Sequence, residues 1–283
     1  MYRNLLAHIP TERSPRAAID GSVSLAMICR AHLDAIATGY EPASIAFVAE
    51  GGAAVAPVFE AEREHALARA ETALRVFEVE VEAATAARST EVRFGGRAIS
   101  GTFGEVMTRV AAAARLHDLT VVSQAEPGRG TFDNQLPQEL LLQAGGPLLF
   151  FPATFRGPFK AARIGICWDG SRLAARAMHD AMPLLAQADA LTAITLNERE
   201  VPVDASPAQF AKHMVRIGLP VMSVSLEAEH SQFAATILSL AADEHLDLLV
   251  MGGYGHSRLQ ETVFGGVTRE MFRSMTVPVL MSH

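Results

Sequence analysis

The chain has 283 residues, of which 49% are hydrophobic and 19% are charged, and this is enough to bury a large core and to form two domains. The formal net charge of -7 excludes the basic surface of a typical nucleic-acid-binding protein, and no run of Lys or Arg predicts contact with an anionic membrane. The two cysteines, Cys29 and Cys167, form no metal-binding or disulfide pattern, and no uninterrupted apolar stretch reaches about 18 residues, so we expect a cytoplasmic protein without a membrane span.

Short apolar runs alternate with longer helical patterns along the first half of the chain, which is typical of βαβ units and a parallel sheet. The predicted strands are residues 4–9, 44–48, 91–94, 119–123 and 148–151. Between the second and third of these strands, residues 60–87 are numerous enough for one helix of about seven turns.

A linker with the sequence PATFRGPFKAA follows the fifth strand, and its two prolines and one glycine are expected at a domain boundary. Beyond it the same alternation returns. The predicted strands of this second half are residues 162–167, 190–196, 220–224, 246–251 and 277–281. The helix after the first of them is expected to begin at Asp169 or Ser171 as N-cap and to bend near Pro183.

The two halves share sequence patterns that identify them as two copies of one repeated unit. DLTVVSQ, from Asp118, matches DLLVMGG, from Asp247, and further along ELLLQAGGPLLFF matches EMFRSMTVPVLMS. The matches occur in the same order, as an internal repeat requires. We therefore predict two tandem α/β domains, residues 1–153 and 161–283, each a doubly wound, Rossmann-like sheet of five parallel strands.

The stretch MGGYGHSRLQETVFGGVTRE, which starts at Met251, is rich in glycine. Gly252 and Gly253 follow the predicted fourth strand of the second half, and Gly265 and Gly266 precede the next helix. Glycine lets a ligand approach the main chain closely, and the unpaired N–H groups of a helix's first turn attract phosphate. A phosphate cradle of this kind needs no basic side chain; the alternative is that these glycines serve only a tight turn. No Gly-Lys pair is present, which excludes a P-loop.

Gly252, Gly255 and Gly265 have the spacing G-x2-G-x9-G of the universal stress protein family, which the chain resembles in its tandem two-domain form. The segment WDGS, from Trp168, is similar to the end of that family's first strand. The resemblance implies the strand order 3-2-1-4-5 in each domain and the binding of ATP or a related adenine nucleotide, with or without Mg²⁺. The residues that it assigns by position are Asp169 and the main chain near Leu196 for the adenosine, Met251, Gly252, Gly255 and His256 for the ribose and first phosphate, and Gly265, Gly266 and Val267 for the outer phosphates.

One position of the second half departs from the family pattern. Gly266 stands where the pattern has Ser or Thr, so one hydroxyl donor is missing while the main-chain N–H remains. A hydrogen bond to a charged group contributes about 1.5–3 kcal/mol, and its loss weakens binding by one or two orders of magnitude. We expect the second half to bind the nucleotide with this reduced affinity.

The first half has lost the glycines of the motif. Ser123, Asn134 and Gln135 occupy the matching positions, and Glu126 and Asp133 add negative charge that would repel phosphate. We therefore expect no nucleotide there and regard the first domain as degenerate. The resemblance also implies that the fifth strands of the two domains pair edge to edge within one chain, which leaves room for a homodimer.

The predicted function is that of a cytoplasmic stress-response protein whose second domain binds ATP and acts through conformation or partners, without nucleic acid or membrane as partner. Two alternatives stay open: a slow ATP-hydrolysing enzyme, and a nucleotide-free scaffold in which the second site has also decayed. The chain has no Walker-type lysine and no nucleophile poised by a base, so we do not expect an enzyme. Asp169 could serve as a helix cap alone, and His256 as a surface residue of the loop.

Overall fold

The structure is a computed structural model, and it describes residues 1–41, 56–88, 91–126, 130–254 and 266–283. These residues form a ten-stranded sheet with helices on both faces. The strands are β1 (Asn4–Ile9), β2 (His32–Tyr40), β3 (Phe94–Gly101), β4 (Leu119–Ser123), β5 (Leu148–Phe151), β6 (Arg163–Cys167), β7 (Ala190–Leu196), β8 (Met222–Leu226), β9 (Leu248–Gly252) and β10 (Val279–Ser282). The α-helices are α1 (Arg16–Cys29), α2 (Ala56–Arg88), α3 (Phe103–Ala114), α4 (Phe132–Gln143), α5 (Arg172–Leu185), α6 (Pro207–Arg216), α7 (Phe233–Asp243) and α8 (Val267–Ser274).

The strand order across the sheet is β3-β2-β1-β4-β5-β10-β9-β6-β7-β8. Each half therefore has the order 3-2-1-4-5, and neighbouring strands within a half are parallel. The halves join where β5 and β10 pair antiparallel, with Leu149 opposite Leu280. The prediction of an α/β fold with parallel strands is confirmed. Because the fifth strands of the two halves pair, the two five-stranded sets form a single continuous sheet.

Side chains alternate along each strand and divide the hydrophobic core between the two faces of the sheet. On β1, Leu5 and Ile9 pack into the cluster on one face, and Leu6 packs into the cluster on the other. Each cluster includes residues from both halves of the chain. At the junction, Phe150 of β5 meets Phe272 of α8 edge to face, with 4.8 Å between the ring centroids. The halves therefore share their core as well as their sheet.

The long helix predicted at residues 60–87 is α2, which spans Ala56–Arg88. Its buried side chains recur every three or four residues and so lie on one face of the helix. They are Ala66, Ala70, Ala73, Phe77 and Val81. No helix among the described residues combines the length and the apolar composition needed to cross a membrane.

Strands β1, β4, β5 and β7 have the predicted bounds, and the largest differences concern the second and third strands. The strand expected at residues 44–48 lies outside the described residues, and the partner of β1 is His32–Tyr40. The strand expected at residues 91–94 is Phe94–Gly101. Three of its eight residues are glycines, which have low strand propensity, but its pairing with β2 overrides that propensity.

Candidate functional site

The edge of the sheet at which β6 and β9 end is the point where the chain changes direction across the second half. The two strands are parallel neighbours, with Ile166 opposite Val250. The chain continues from β6 to β7 on one side and from β9 to β10 on the other. Ligands of open α/β sheets bind at such a switch point, beyond the carboxyl ends of the strands. Asp169 and Gly252 both lie at this edge.

The turn between β6 and α5 is ordered by its own side chains. Asp169 Oδ1 accepts the N–H of Ser171 at 2.9 Å, and Ser171 Oγ accepts the N–H of Ala174 at 3.1 Å. Of the two N-cap candidates, Ser171 is therefore the cap of α5. Asp169 is exposed, so its carboxylate shapes the turn and stays accessible to a ligand.

The end of β7 lies beside this turn. Leu196 is the last residue of β7 and is half-buried. Its neighbour Thr195 donates from Oγ1 to the main-chain oxygen of Trp168 at 3.0 Å, which ties β7 to the β6–α5 turn. Trp168 stacks on Phe210, with 4.2 Å between the ring centroids, and donates its Nε1–H to the oxygen of Ala205 at 2.7 Å. Trp168 therefore anchors the turn by packing, and the main chain near Leu196 lies close to Asp169.

The last residues of β9 pack tightly against α5. The Met251 side chain is buried and belongs to the core. A Cβ atom at Gly252 would lie 2.8 Å from the main-chain carbon of Leu173 and 2.9 Å from the nitrogen of Ala174. The first turn of α5 thus lies directly on Gly252. Glycine is required there by the packing of helix on strand, with or without a ligand.

The residues that follow β9 are held from two directions. A Cβ atom at Gly253 would lie 2.6 Å from Cδ2 of Leu141, which comes from α4 of the first half. The Gly253 N–H donates to the oxygen of Ser282 at 2.9 Å. The Tyr254 N–H donates to Oγ1 of Thr268 at 3.0 Å. This last bond brings the start of α8 to the end of β9, and it engages the Thr268 hydroxyl within the protein.

The start of α8 is built from main-chain groups. Gly266 is the N-cap, and its carbonyl accepts the N–H groups of Arg269 at 2.8 Å and Glu270 at 3.1 Å. No side chain of the described residues caps this helix. An anion placed there would meet main-chain N–H groups of Gly266 and Val267 and the positive end of the helix dipole.

Three of the predicted site residues, Gly255, His256 and Gly265, lie outside the described residues. The others, namely Asp169, Leu196, Met251, Gly252, Gly266 and Val267, lie at the carboxyl ends of β6, β7 and β9 or at the start of α8. Within the described part of the chain, no group of three or more His, Cys, Asp or Glu side chains is placed to hold a metal ion. The site is thus assembled mainly from main-chain groups and one exposed carboxylate.

The first half forms the corresponding switch point where β1 and β4 end, with Ala7 opposite Val121. The Arg13 side chain is buried there, and only 8% of this residue's surface is exposed. Its guanidinium donates to the main-chain oxygens of Ser123 at 3.0 Å and Asp133 at 3.3 Å, and also to the oxygen of Gln124. An internal cation therefore binds the main chain at this edge of the sheet.

Two carboxyl groups complete this arrangement at the start of α4. Asp133 is fully buried, and its Oδ2 accepts the N–H groups of Thr11 at 3.0 Å and Glu12 at 2.8 Å. In return, Glu12 Oε2 accepts the N–H of Asp133 at 2.9 Å. Burial raises the pKa of the Asp133 carboxyl to about 6, against the opposing effect of the Arg13 guanidinium. The chain's own carboxyl groups thus occupy main-chain donors at the position where a nucleotide would need them.

His8, on β1, extends the buried polar cluster of the first half. Its Nε2 lies 2.8 Å from Oγ1 of Thr38, and the Thr38 hydroxyl donates to the Tyr40 hydroxyl oxygen at 3.1 Å. Burial lowers the pKa of His8 to about 3, with the nearby Arg13 acting in the same direction. His8 is therefore neutral at ordinary pH.

Sequence reasoning identified Asp133 as a source of negative charge but missed Arg13 and Glu12. Their signal is the charged pair in HIPTERS, directly after a buried strand. The guanidinium of Arg13 reaches an oxygen 110 residues away along the chain. Such a contact depends on which strands are neighbours, and the residue pattern alone does not contain that information.

Known proteins resemble this chain in sequence and in fold. Residues 161–283 match the model of the universal stress protein family. The universal stress protein Slr1230 of Synechocystis sp. is 37% identical to this chain over 59 residues, which are 21% of this chain and 20% of that protein. The match thus spans about a fifth of the curated relative's length.

Solved structures share the fold of the whole chain. A universal stress protein from Archaeoglobus fulgidus aligns with a TM-score of 0.69 at 13% identity, over 99% of this chain and 97% of that one. A functionally unknown protein from Pseudomonas aeruginosa PAO1 aligns with a TM-score of 0.61 at 13% identity, over 99% of this chain and 92% of that one. At such identities the likeness concerns the fold alone.

Proposed function

We propose that residues 161–283, which match the model of the universal stress protein family, bind ATP or a related adenine nucleotide where β6 and β9 end. The protein then acts in the stress response through its conformation or its partners. In this proposal, residues 1–153 are a degenerate domain of the same type, and the protein works in the cytoplasm.

The observation that carries the proposal is the meeting of three elements at the switch point. β6 ends beside β9, so Asp169 and Gly252 lie at one edge of the sheet. The hydrogen bond from the Tyr254 N–H to Thr268 Oγ1 holds the start of α8 at the same edge. Main-chain N–H groups at a helix start bind phosphate without basic side chains, which suits a chain of net charge -7.

The proposed contacts follow the order of the elements. The exposed Asp169 and the main chain near Leu196 face the adenosine, and Met251 and Gly252 contribute their main chain beside the ribose and first phosphate. Gly266 and Val267 present N–H groups to the outer phosphates. Gly255, His256 and Gly265 belong to the same proposed site and lie outside the described residues.

Binding, and not catalysis, is the proposed activity. Among the proposed site residues that the structure describes, Asp169 supplies the one carboxylate and the others supply main-chain groups. Such groups position a nucleotide and neutralise its charge, and they offer no base for an attacking water. Incubation with ATP and Mg²⁺ tests this directly, because repeated turnover by the purified protein would support a slow ATP-hydrolysing enzyme.

The proposed site is tested by calorimetric titration of the full chain with ATP, ADP and AMP, alongside a matched pair of variants at Gly266. Gly266 has a negative φ and is therefore not in the left-handed region that favours glycine, and both Asp and Asn are favoured N-cap residues. Gly266→Asp places a negative charge where the phosphates are expected and should abolish binding. Gly266→Asn keeps the size without the charge and should retain binding.

Equal affinities of the two Gly266 variants would place the phosphates elsewhere. Two negative results together would favour the nucleotide-free scaffold. The unmodified chain would bind no nucleotide in the titration, and acid extraction of the purified protein would release none. Sedimentation velocity on the same samples tests the proposed association of two chains.

A further inference from the structure

A groove of about 620 Å³ lies in the first half, outside the proposed nucleotide site. One wall is the turn between β1 and α1, and the other is the long helix α2. Its volume falls within the range of about 300–1,000 Å³ that is typical of small-molecule sites. The nucleotide site proposed above is made by the second half, so the groove is a separate feature of the chain.

The walls of the groove are mainly apolar. Pro10 and Pro15 line it on the turn, and Ala68, Ala73 and Val76 line it on α2. Val76 is 43% exposed, and its side chain is therefore available for contact with a ligand. These side chains form a surface against which an apolar body can pack, and their burial by a ligand would be favourable.

The charged residues that line the groove are all basic. They are Arg13, His65 and Arg69, and no Asp or Glu side chain is among the described residues that line it. This is a local excess of positive charge in a chain with a net charge of -7. The hydroxyl groups of Thr11 and Thr72 are the further polar side chains of the lining.

The three basic side chains differ in what they can offer a ligand. Arg13 is buried, donates to protein oxygens and faces Asp133, so its charge is largely compensated within the protein. Arg69 is exposed, and one of its NH groups donates to the oxygen of Tyr40 at 3.2 Å. That bond fixes the guanidinium above the end of β2 and leaves its other donors for an anion. His65 is exposed one helical turn earlier on the same helix.

We propose that this groove is a binding site for a small organic anion, whose acid group lies beside Arg69 and His65 and whose apolar body packs against Pro10, Pro15 and Val76. A planar guanidinium pairs well with carboxylate, sulfonate or phosphate oxygens, and the apolar walls select ligands with more than a bare acid group. The first half thus has a ligand site of its own, although its strand-end crevice is filled by Arg13 and Asp133.

The test uses two fluorescent probes that differ in one charge, anilinonaphthalene sulfonate and its uncharged analogue N-phenylnaphthylamine. Titration of the full chain should show saturable binding of the sulfonate. Arg69→Glu should weaken sulfonate binding by about ten-fold or more, since one charge-assisted contact is lost and a repulsion is added. The affinity for the uncharged analogue should change by less than about two-fold, because apolar packing does not depend on the charge of residue 69.

Two further variants complete the test. Arg63→Glu makes the same charge change on α2 outside the lining of the groove, and it should leave both affinities within about two-fold because salt screens distant charges. Ala68→Trp fills the groove and should remove both probes. Thermal unfolding of each variant shows that the fold is retained. The proposal would be overturned if the affinity for the sulfonate is unchanged in both Arg69→Glu and Ala68→Trp. It would also be overturned if Arg63→Glu weakens sulfonate binding as much as Arg69→Glu does.

Discussion

The residues beyond the carboxyl ends of the central strands differ between the two halves of the chain. Where β1 and β4 end, Arg13 and Asp133 bury a cation and a carboxyl group against the main chain. Where β6 and β9 end, Gly252 and Gly266 contribute no side chain, and α8 begins without a side-chain cap among the described residues. The strand order is the same in both halves. The difference therefore lies in the residues placed on the fold, which is where binding sites are determined.

The comparison also shows how the first half pairs the main-chain donors at its strand ends within the protein. In the first half, the N–H groups of Thr11 and Glu12 bond to Asp133, and the N–H of Asp133 bonds to Glu12. Each of these buried donors is satisfied by the protein itself, as buried polar groups require. In the second half, the start of α8 is left to main-chain groups, which favours an external anion there.

The largest expected effect follows from removing the buried carboxyl group. Asp133→Ala should lower the free energy of unfolding by about 3–5 kcal/mol, because Arg13 remains buried without its charge partner. Asp169→Ala, at the matching edge of the second half, should cost about 0.5–1.5 kcal/mol, since it removes one hydrogen bond from an exposed side chain. Urea unfolding followed by circular dichroism measures both, and equal losses would contradict the contrast between the halves.

A second prediction concerns the hydroxyl missing at the start of α8. Gly266→Ser should strengthen ATP binding by about 1.5–3 kcal/mol, or roughly ten-fold to more than a hundred-fold, because it adds a donor beside the expected phosphates. Gln135→Ser makes the corresponding change in the first half, where Arg13 and Asp133 fill the crevice. It should create no nucleotide binding. Calorimetric titration checks both variants, and a gain at Gln135→Ser would show that the first crevice is open.

A third prediction compares the last residues of β9 and β4. Gly252→Ala should cost about 1–3 kcal/mol of stability, because the new Cβ atom meets the main chain of Leu173 and Ala174. Ser123→Ala, at the matching position of β4, removes a buried hydroxyl that has no hydrogen-bond partner among the described residues. Its stability should stay within about 0.5 kcal/mol of the original or rise. A loss of more than about 1 kcal/mol in Ser123→Ala would contradict an unpaired hydroxyl at that position, and no loss in Gly252→Ala would contradict the tight packing of α5 on β9.

The last prediction concerns a pH dependence at the first crevice. Burial raises the pKa of Asp133 from 3.8 to about 6, so the native state holds this proton more tightly than the unfolded state does. The resulting stabilisation is full below about pH 4 and is lost as the pH rises through 6. Asp133→Asn removes this contribution. The stability difference between the original chain and the variant should therefore shift in favour of the original chain as the pH falls from 7 to 4.

The contribution of His8 to stability has the opposite pH dependence. Burial lowers the pKa of His8 to about 3, so its contribution to stability is lost as the pH falls. His8 Nε2 lies 3.9 Å from Asp133 Oδ1, but the low pKa of His8 keeps it neutral in the native state of both proteins above pH 4, so its effect cancels in the difference between them. A difference that stays constant from pH 7 to pH 4 would contradict the raised pKa of Asp133.

The parts of the fold that the sequence predicted well are those with a local signal. Buried apolar runs identified β1, β4, β5 and β7 with their observed bounds, because these strands are apolar on both faces. β2 was missed because Asp34 and Thr38 interrupt its apolar run, and β3 was shifted because its glycines have weak strand propensity. In both cases pairing with a neighbouring strand decides the structure.

The candidate sites also differ in whether a local sequence pattern indicates them. The spacing of Gly252, Gly255 and Gly265 led to the prediction of a main-chain site, because these residues lie in one continuous stretch of sequence. The pairing of Arg13 with Asp133, and the groove between α2 and the β1–α1 turn, bring together residues that are far apart in sequence. These features depend on the packing of α2 and the order of the strands, so no local pattern indicates them.

The most direct test of the contrast between the two halves is the stoichiometry of ATP binding to the full chain in calorimetric titration. The open start of α8 and the filled first crevice predict one nucleotide per chain. A second nucleotide that also binds the Arg69→Glu chain would mean that Arg13 and Asp133 do not close the first crevice, and no bound nucleotide would mean that the main-chain groups near Gly252 and Gly266 do not form a site.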